Sequence, residues 1–175
     1  THLMYDAILR TSRKRIWILG RKNRKLFDKD HRSQLKQVAG SVNHGFDFRI
    51  LFLDPDAEES TISSAHADGD LRGQIYASLS AALATATSAG IDARRHFRLC
   101  GLARACHAII CDDYVVYSKY RVMYGVVAPF TDSNFVIDRA DSEVGGELVS
   151  DFLSRWDSAR ALDCSEHRRG FMGPR

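Results

Sequence analysis

The sequence predicts one α/β domain, a three-layer α/β/α sandwich around a mixed, mostly parallel sheet. Three observations carry that expectation. Short apolar runs alternate with helical stripes along most of the chain, an order that places helices against a sheet. The run "FDFRILFLDPD" (46–56) is apolar on both faces, as a central strand covered from each side must be. A closing amphipathic stretch near the C-terminus supplies a further helix for the outside.

Each element has its own signal. "RIWILG" (15–20) follows a basic stretch and ends in Gly20, reading as a buried strand and a turn. "KLFDKDHRSQLKQVAG" (25–40) spaces Leu26, Phe27, Leu35 and Val38 in a helical manner and stops at Gly40. In 46–56 Phe48, Ile50 and Phe52 alternate before Asp-Pro ends the strand. Between 68 and 90, Leu71, Ile75, Leu79, Leu83 and Ala86 form a 3.6-residue stripe that closes at Gly90. "IDARRHFRLC" (91–100) reads as a shorter strand. "AIIC", Asp112-Asp113 and "YVVYS" read as a hairpin, and "RVMYGVVAPF" and "SNFVID" continue in strands. Leu148, Phe152 and Trp156, four apart, mark the last helix over 145–162. The domain is expected to span 14–162, with 1–13 as a lead-in and 163–175 as a flexible basic tail. "THLM" has the look of an expression remnant, and the piece is expected to belong to a longer multidomain protein.

Composition bounds the function. With 175 residues, 45% hydrophobic and 27% charged, the chain can bury a substantial core. No apolar run approaches the roughly 20 residues that cross a bilayer, and no secretory leader opens the sequence, so the expectation is a cytoplasmic protein without a membrane partner. Of the four cysteines, Cys100, Cys106 and Cys111 crowd one strand-rich region, a layout for free thiols rather than a disulfide framework. From Arg10 to Lys36 eleven Lys or Arg residues face two acids, a local excess of nine. Such a segment can displace counterions from a phosphate-bearing partner, and it can equally form a solvated face.

The succession "RIWILG", helix, "FRILFLDPD", long helix, "RRHFRL" and hairpin "HAIICDDYVVYS" resembles one repeat of the phospholipase D superfamily, over roughly residues 14–160. In active members the hairpin carries H-x-K-x4-D, then Gly-Ser and Asn. The histidine attacks phosphorus, and lysine and asparagine hold the phosphate oxygens. That chemistry needs His and Lys two residues apart on one strand face. Counted from His107, the lysine position holds Ile109 and the aspartate position Tyr114; shifted by two, His107 falls on the lysine position and Ala105 on the nucleophile. Ser118-Lys119-Tyr120 stands at the Gly-Ser position, and no asparagine follows at the required place. The resemblance therefore implies a degenerate copy, similar to noncatalytic domains of bacterial regulatory or defence proteins. A working version would have to be a homodimer in which each chain contributes His107.

The candidate residues each have two readings. His107 is a nucleophile or phosphate ligand, or a structural histidine at a strand start. Ser118, Lys119 and Arg121, after the second hairpin arm, complete an anion pocket with it. Arg94, Arg95, His96 and Arg98 form a basic knot before the hairpin, of which Arg95 is a candidate ligand. Asp54 and Asp56, with Arg21 and Lys22 from "GRKNRK", stand where α/β sheets bind ligands, beyond strand carboxyl ends, or serve as turn residues. Asp112 and Asp113 orient a base or simply turn the chain. His96, Cys100, Cys106 and His107 match no familiar zinc spacing, so neither metal nor cofactor is expected. Trp17 and Trp156 belong to the core, or stack a base at an edge. The expected partner is an anionic small molecule or a nucleic acid. The alternatives are a homodimeric phosphodiesterase or nuclease, and a dimerisation or protein-interaction module exposing "YGVVAPF" (124–130).

Overall fold

The computed structural model describes residues 2–21, 23–27, 31–42, 44–58, 71–101, 106–119, 122–123, 126–127 and 135–162. Helix α1 (His2–Thr11) leads into β1 (Arg15–Leu19), a 3₁₀ turn (Arg24–Phe27) and α2 (Arg32–Val42). Next come β2 (Asp47–Leu53), α3 (Leu71–Ala89), the single turn α4 (Ala93–His96) and β3 (Phe97–Cys100). The hairpin is β4 (Cys106–Cys111) and β5 (Tyr114–Lys119), followed by β6 (Val122–Met123), β7 (Val126–Val127), β8 (Val136–Arg139), α5 (Glu143–Ser158) and β9 (Arg160–Ala161).

The seven-stranded sheet has the order β8-β5-β4-β1-β2-β3-β9, and β6 with β7 forms a two-stranded ribbon. The sheet is mixed, but it is not mostly parallel. Only β1–β2 and β2–β3 run parallel, while β1–β4, β4–β5, β5–β8 and β3–β9 are antiparallel. Parallel pairing needs a long crossover, which α2 and α3 supply; the β4–β5 hairpin needs only its Asp112-Asp113 turn. Ile16, Ile18, Phe48, Ile50 and Phe52 face a core with α1, α2 and α3. Trp17, Leu19, Leu51, Ala108, Ile110 and Val115 face Leu148, Phe152 and Trp156 of α5. Three layers result, with a single helix on the second face among the described residues.

Several local outcomes differ from the sequence reading. Residues 2–11 are not a lead-in: Tyr5, Ile8 and Leu9, at i, i+3 and i+4, are buried in the main core. The 25–40 stripe divides into the 3₁₀ turn and α2, which continues past Gly40 to Val42. Residues 93–96 turn helically because the Asp92 carboxylate accepts the Arg94 N–H at 3.1 Å, leaving β3 only four residues. The closing helix ends at Ser158, and Arg160–Ala161 pair with β3 as an edge strand. Of "YGVVAPF", all but Val126 and Val127 lies outside the described residues, as does the tail 163–175.

The hairpin tip is a clamp. Asp112 sits in the left-handed region (φ 48°), and its carboxylate accepts the backbone N–H groups of Arg13, Lys14 and Arg15 at 2.9, 2.8 and 3.0 Å. Partial burial works to raise its pKa, but these three donors and the Lys14 charge outweigh it and hold the carboxyl below the usual range. Asp112 thus aligns the start of β1 beside β4, which settles its role as structural.

Candidate functional site: a polar pocket at the strand ends

Parallel strands β1, β2 and β3 end on the same edge of the sheet at which β4 begins and β5 finishes. Register places His107 directly across from Ser118, and Ala108 across from Leu19, so His107 is level with Gly20. Side chains two apart share a face, so His107 lies on the side of Ile109, toward α1 and α2. There the Tyr5 hydroxyl meets His107 Nε2 at 3.0 Å, with the two rings edge-to-face. His31, also buried, packs its ring 5.7 Å from that of Tyr5.

Gly20 is needed here for space. A Cβ on it would stand 2.1 Å from Asn23 Oδ1 and 2.8 Å from His107 Cδ2. Asn23 is buried, adopts φ 53°, and donates Nδ2–H to the Leu51 carbonyl at 3.0 Å, which ties the loop to the sheet. Gly20→Ala is expected to lower stability by about 1–3 kcal/mol through overpacking, measured by urea denaturation; an unchanged midpoint would contradict this close approach.

The electrostatics of the pocket are those of neutral hydrogen-bonding groups. Burial alone pushes the His107 pKa down to about 4, so the imidazole is uncharged at neutral pH. When Tyr5 donates to Nε2, the ring proton sits on Nδ1 and is available to a further acceptor. Ser118 is 1% and Asn23 6% exposed, and neither Ser118 Oγ nor Asn23 Oδ1 has a hydrogen-bond partner among the described residues. Buried polar atoms are ordinarily satisfied, so two unpaired ones beside one imidazole make this cluster the candidate site.

The predicted site residues therefore separate. His107 and Ser118 come together, and Arg21 begins the loop beside them, its carbonyl accepting the Leu53 N–H at 3.2 Å. Lys22 and Arg121 lie outside the described residues; the Lys119 backbone pairs with Cys106. Asp54 and Asp56 are engaged elsewhere: Arg160 forks onto Asp54 at 2.6 and 2.8 Å and approaches Asp56 at 3.6 Å, while Tyr76 donates to Asp56 at 2.9 Å. Arg95 pairs with Asp92 at 3.3 Å, two residues before a strand whose first residue is level with Ile50, and so lies toward the opposite end of the sheet. The positive surroundings expected for His107 are not what sets its protonation. His96 Nδ1 contacts the Phe48 carbonyl at 2.8 Å, and no metal-binding group of three His, Cys, Asp or Glu occurs among the described residues. Sequence reasoning missed Tyr5, which lies in the segment read as a lead-in, and Asn23, whose only signal is its place three residues after Gly20.

The fold is a mixed α/β domain with a candidate polar site at its strand ends. No protein-family model matches the chain, and no curated protein matches it. Among solved structures it is similar to TrmBL2, an archaeal chromatin protein whose structure shows a novel mode of DNA binding, with 13% identity and a TM-score of 0.47. That match covers 91% of this chain and 50% of the other, so the chain spans about half the length of that protein. Similarity this distant carries no functional argument.

Proposed function

We propose that the chain is a noncatalytic, phospholipase D-like sensor domain that binds a small phosphate-bearing ligand at the strand-end pocket. The observation that carries this reading is the cluster of half-buried His107 with buried Ser118 and Asn23, in which Ser118 Oγ and Asn23 Oδ1 have no partner among the described residues. Ser118 O–H and His107 Nδ1–H donate to phosphate oxygens, and Asn23 Oδ1 accepts from a hydroxyl of the ligand. In the sequence, Arg21 and Lys22 follow Gly20, and Lys119 follows Ser118. Turnover is disfavoured because the partner that phosphoryl transfer requires two residues beyond the histidine is Ile109, which is fully buried in the core.

The test is a thermal-shift titration with inorganic phosphate, ribose 5-phosphate and adenosine monophosphate, on the parent and on Ser118→Ala. At a ligand concentration of 100 Kd the parent should gain about 2.7 kcal/mol. Ser118→Ala should give a smaller gain than the parent while its unliganded Tm stays equal or rises, since an unpaired buried hydroxyl is itself destabilising. If no probe stabilises the parent, or the gain is undiminished by the substitution, the pocket is not the binding site. His107-dependent cleavage of a generic phosphodiester by a dimer would instead establish the phosphodiesterase alternative.

A further inference from the structure

The face of the sheet under α5 carries a different constellation. Trp17, Phe152 and Trp156 stack in series, with centroids 5.2 and 5.8 Å apart and planes within 15°. Three guanidinium groups from three adjacent strands lie against these rings. The Cζ atoms of Arg15 and Arg49 are 4.8 and 4.9 Å from the Trp17 centroid, Arg49 is also 5.3 Å from Trp156, and Arg98 is 4.7 Å from Trp156. The rings hold long side chains in fixed positions, lowering the entropy lost when they engage a ligand.

We infer that Arg15, Arg49 and Arg98, fixed against Trp17 and Trp156, form a second binding site, on the opposite face from the pocket, for an oxyanion of the phosphate class. Three features support it. First, charge is unbalanced: Asp47 pairs with Arg49 at 2.8 Å, while the carboxylate of nearby Asp112 is taken up by backbone N–H groups. Second, Arg15 and Arg98 use their in-protein bonds on neutral carbonyls, those of Asp112 and Trp156, and no carboxylate pairs with either among the described residues. Third, Trp17 Nε1 and Arg98 Nε are buried and have no partner among the described residues. Indole and guanidinium nitrogens only donate, so whatever satisfies them must bring acceptors. A ligand rich in acceptor oxygens and negatively charged meets all three conditions, through planar forks suited to phosphate.

The chain has two tryptophans, and both line this site, so intrinsic fluorescence reports on it selectively. Inorganic phosphate and a 12-mer single-stranded oligonucleotide should each be titrated at constant ionic strength into the parent, Arg49→Gln, Arg15→Gln and Ser118→Ala, each checked for folding by circular dichroism. The parent and Ser118→Ala should show the same saturable fluorescence change, and Arg49→Gln at least a tenfold weaker one. Arg15→Gln, on a half-buried side chain at the rim, gives the same reading should Arg49→Gln fail to fold. Phosphate binding as tightly as the oligonucleotide identifies a small phosphate ligand; an oligonucleotide that binds far more tightly, is displaced by phosphate and weakens steeply with salt identifies a nucleic-acid backbone. An unsaturable response to both probes, or equal affinity in parent and arginine variants, overturns the site. Because Ser118→Ala removes only the other pocket, failure of one site is distinguishable from failure of the other.

Discussion

Phe152→Ala should lower stability by about 3–5 kcal/mol, the cost of emptying a buried aromatic site, and should alter the fluorescence of both tryptophans. Phe152 is fully buried and stacks between Trp17 of β1 and Trp156 of its own helix. With Leu148 and Trp156 it packs α5 against the sheet. Phe152→Leu retains most of the volume and should cost less than about 1.5 kcal/mol. Urea denaturation with an unchanged m-value checks both; a loss below about 1 kcal/mol for the alanine variant would show that α5 is not anchored through this ring.

The second large effect is a dependence on pH. His107 takes up a proton near pH 4 in the folded protein and near 6.5 when unfolded. Between these values the unfolded chain binds more protons, so stability rises with pH across this window. It is fully present above about 6.5 and falls as pH drops toward 4, by about 3 kcal/mol in all from this residue. His107→Gln should flatten that part of the profile. Asp112 acts in a lower window: its depressed pKa contributes stability that is lost only as pH falls below the ordinary carboxylate range. A parent and a His107→Gln variant that lose stability in parallel between pH 6.5 and 4 would contradict the burial of the imidazole.

Much of the scaffold was legible in sequence because its signals are local. Both-face apolarity placed β2 inside the sheet, the stripe from Leu71 to Ala86 gave α3, and Asp112-Asp113 gave the hairpin tip. Strand direction at the edges was not legible: β8 and β9 pair antiparallel through contacts distant in sequence, and nothing in their composition records it. Helix α1 escapes the sequence reading, which takes 1–13 as a lead-in, although Tyr5, Ile8 and Leu9 carry helical spacing. Of the site, His107 and Ser118 were found through the hairpin; Tyr5 and Asn23 were not, since tertiary packing alone brings them there. The basic run from Arg10 to Lys36 illustrates the limit of counting charge. β1 divides it, sending Arg13, Lys14 and Arg15 to one end of the sheet and Arg21, Arg24 and Lys25 to the other, about 16 Å apart at 3.3 Å per residue.

Heteronuclear NMR titration of the His107 imidazole tests most directly the claim that the strand-end pocket is a neutral, buried binding site. The expected result is a single neutral tautomer with its proton on Nδ1 down to about pH 4. Titration at 6.5 or above would place the ring in solvent or beside an anion, contradicting the pocket on which the proposed function rests.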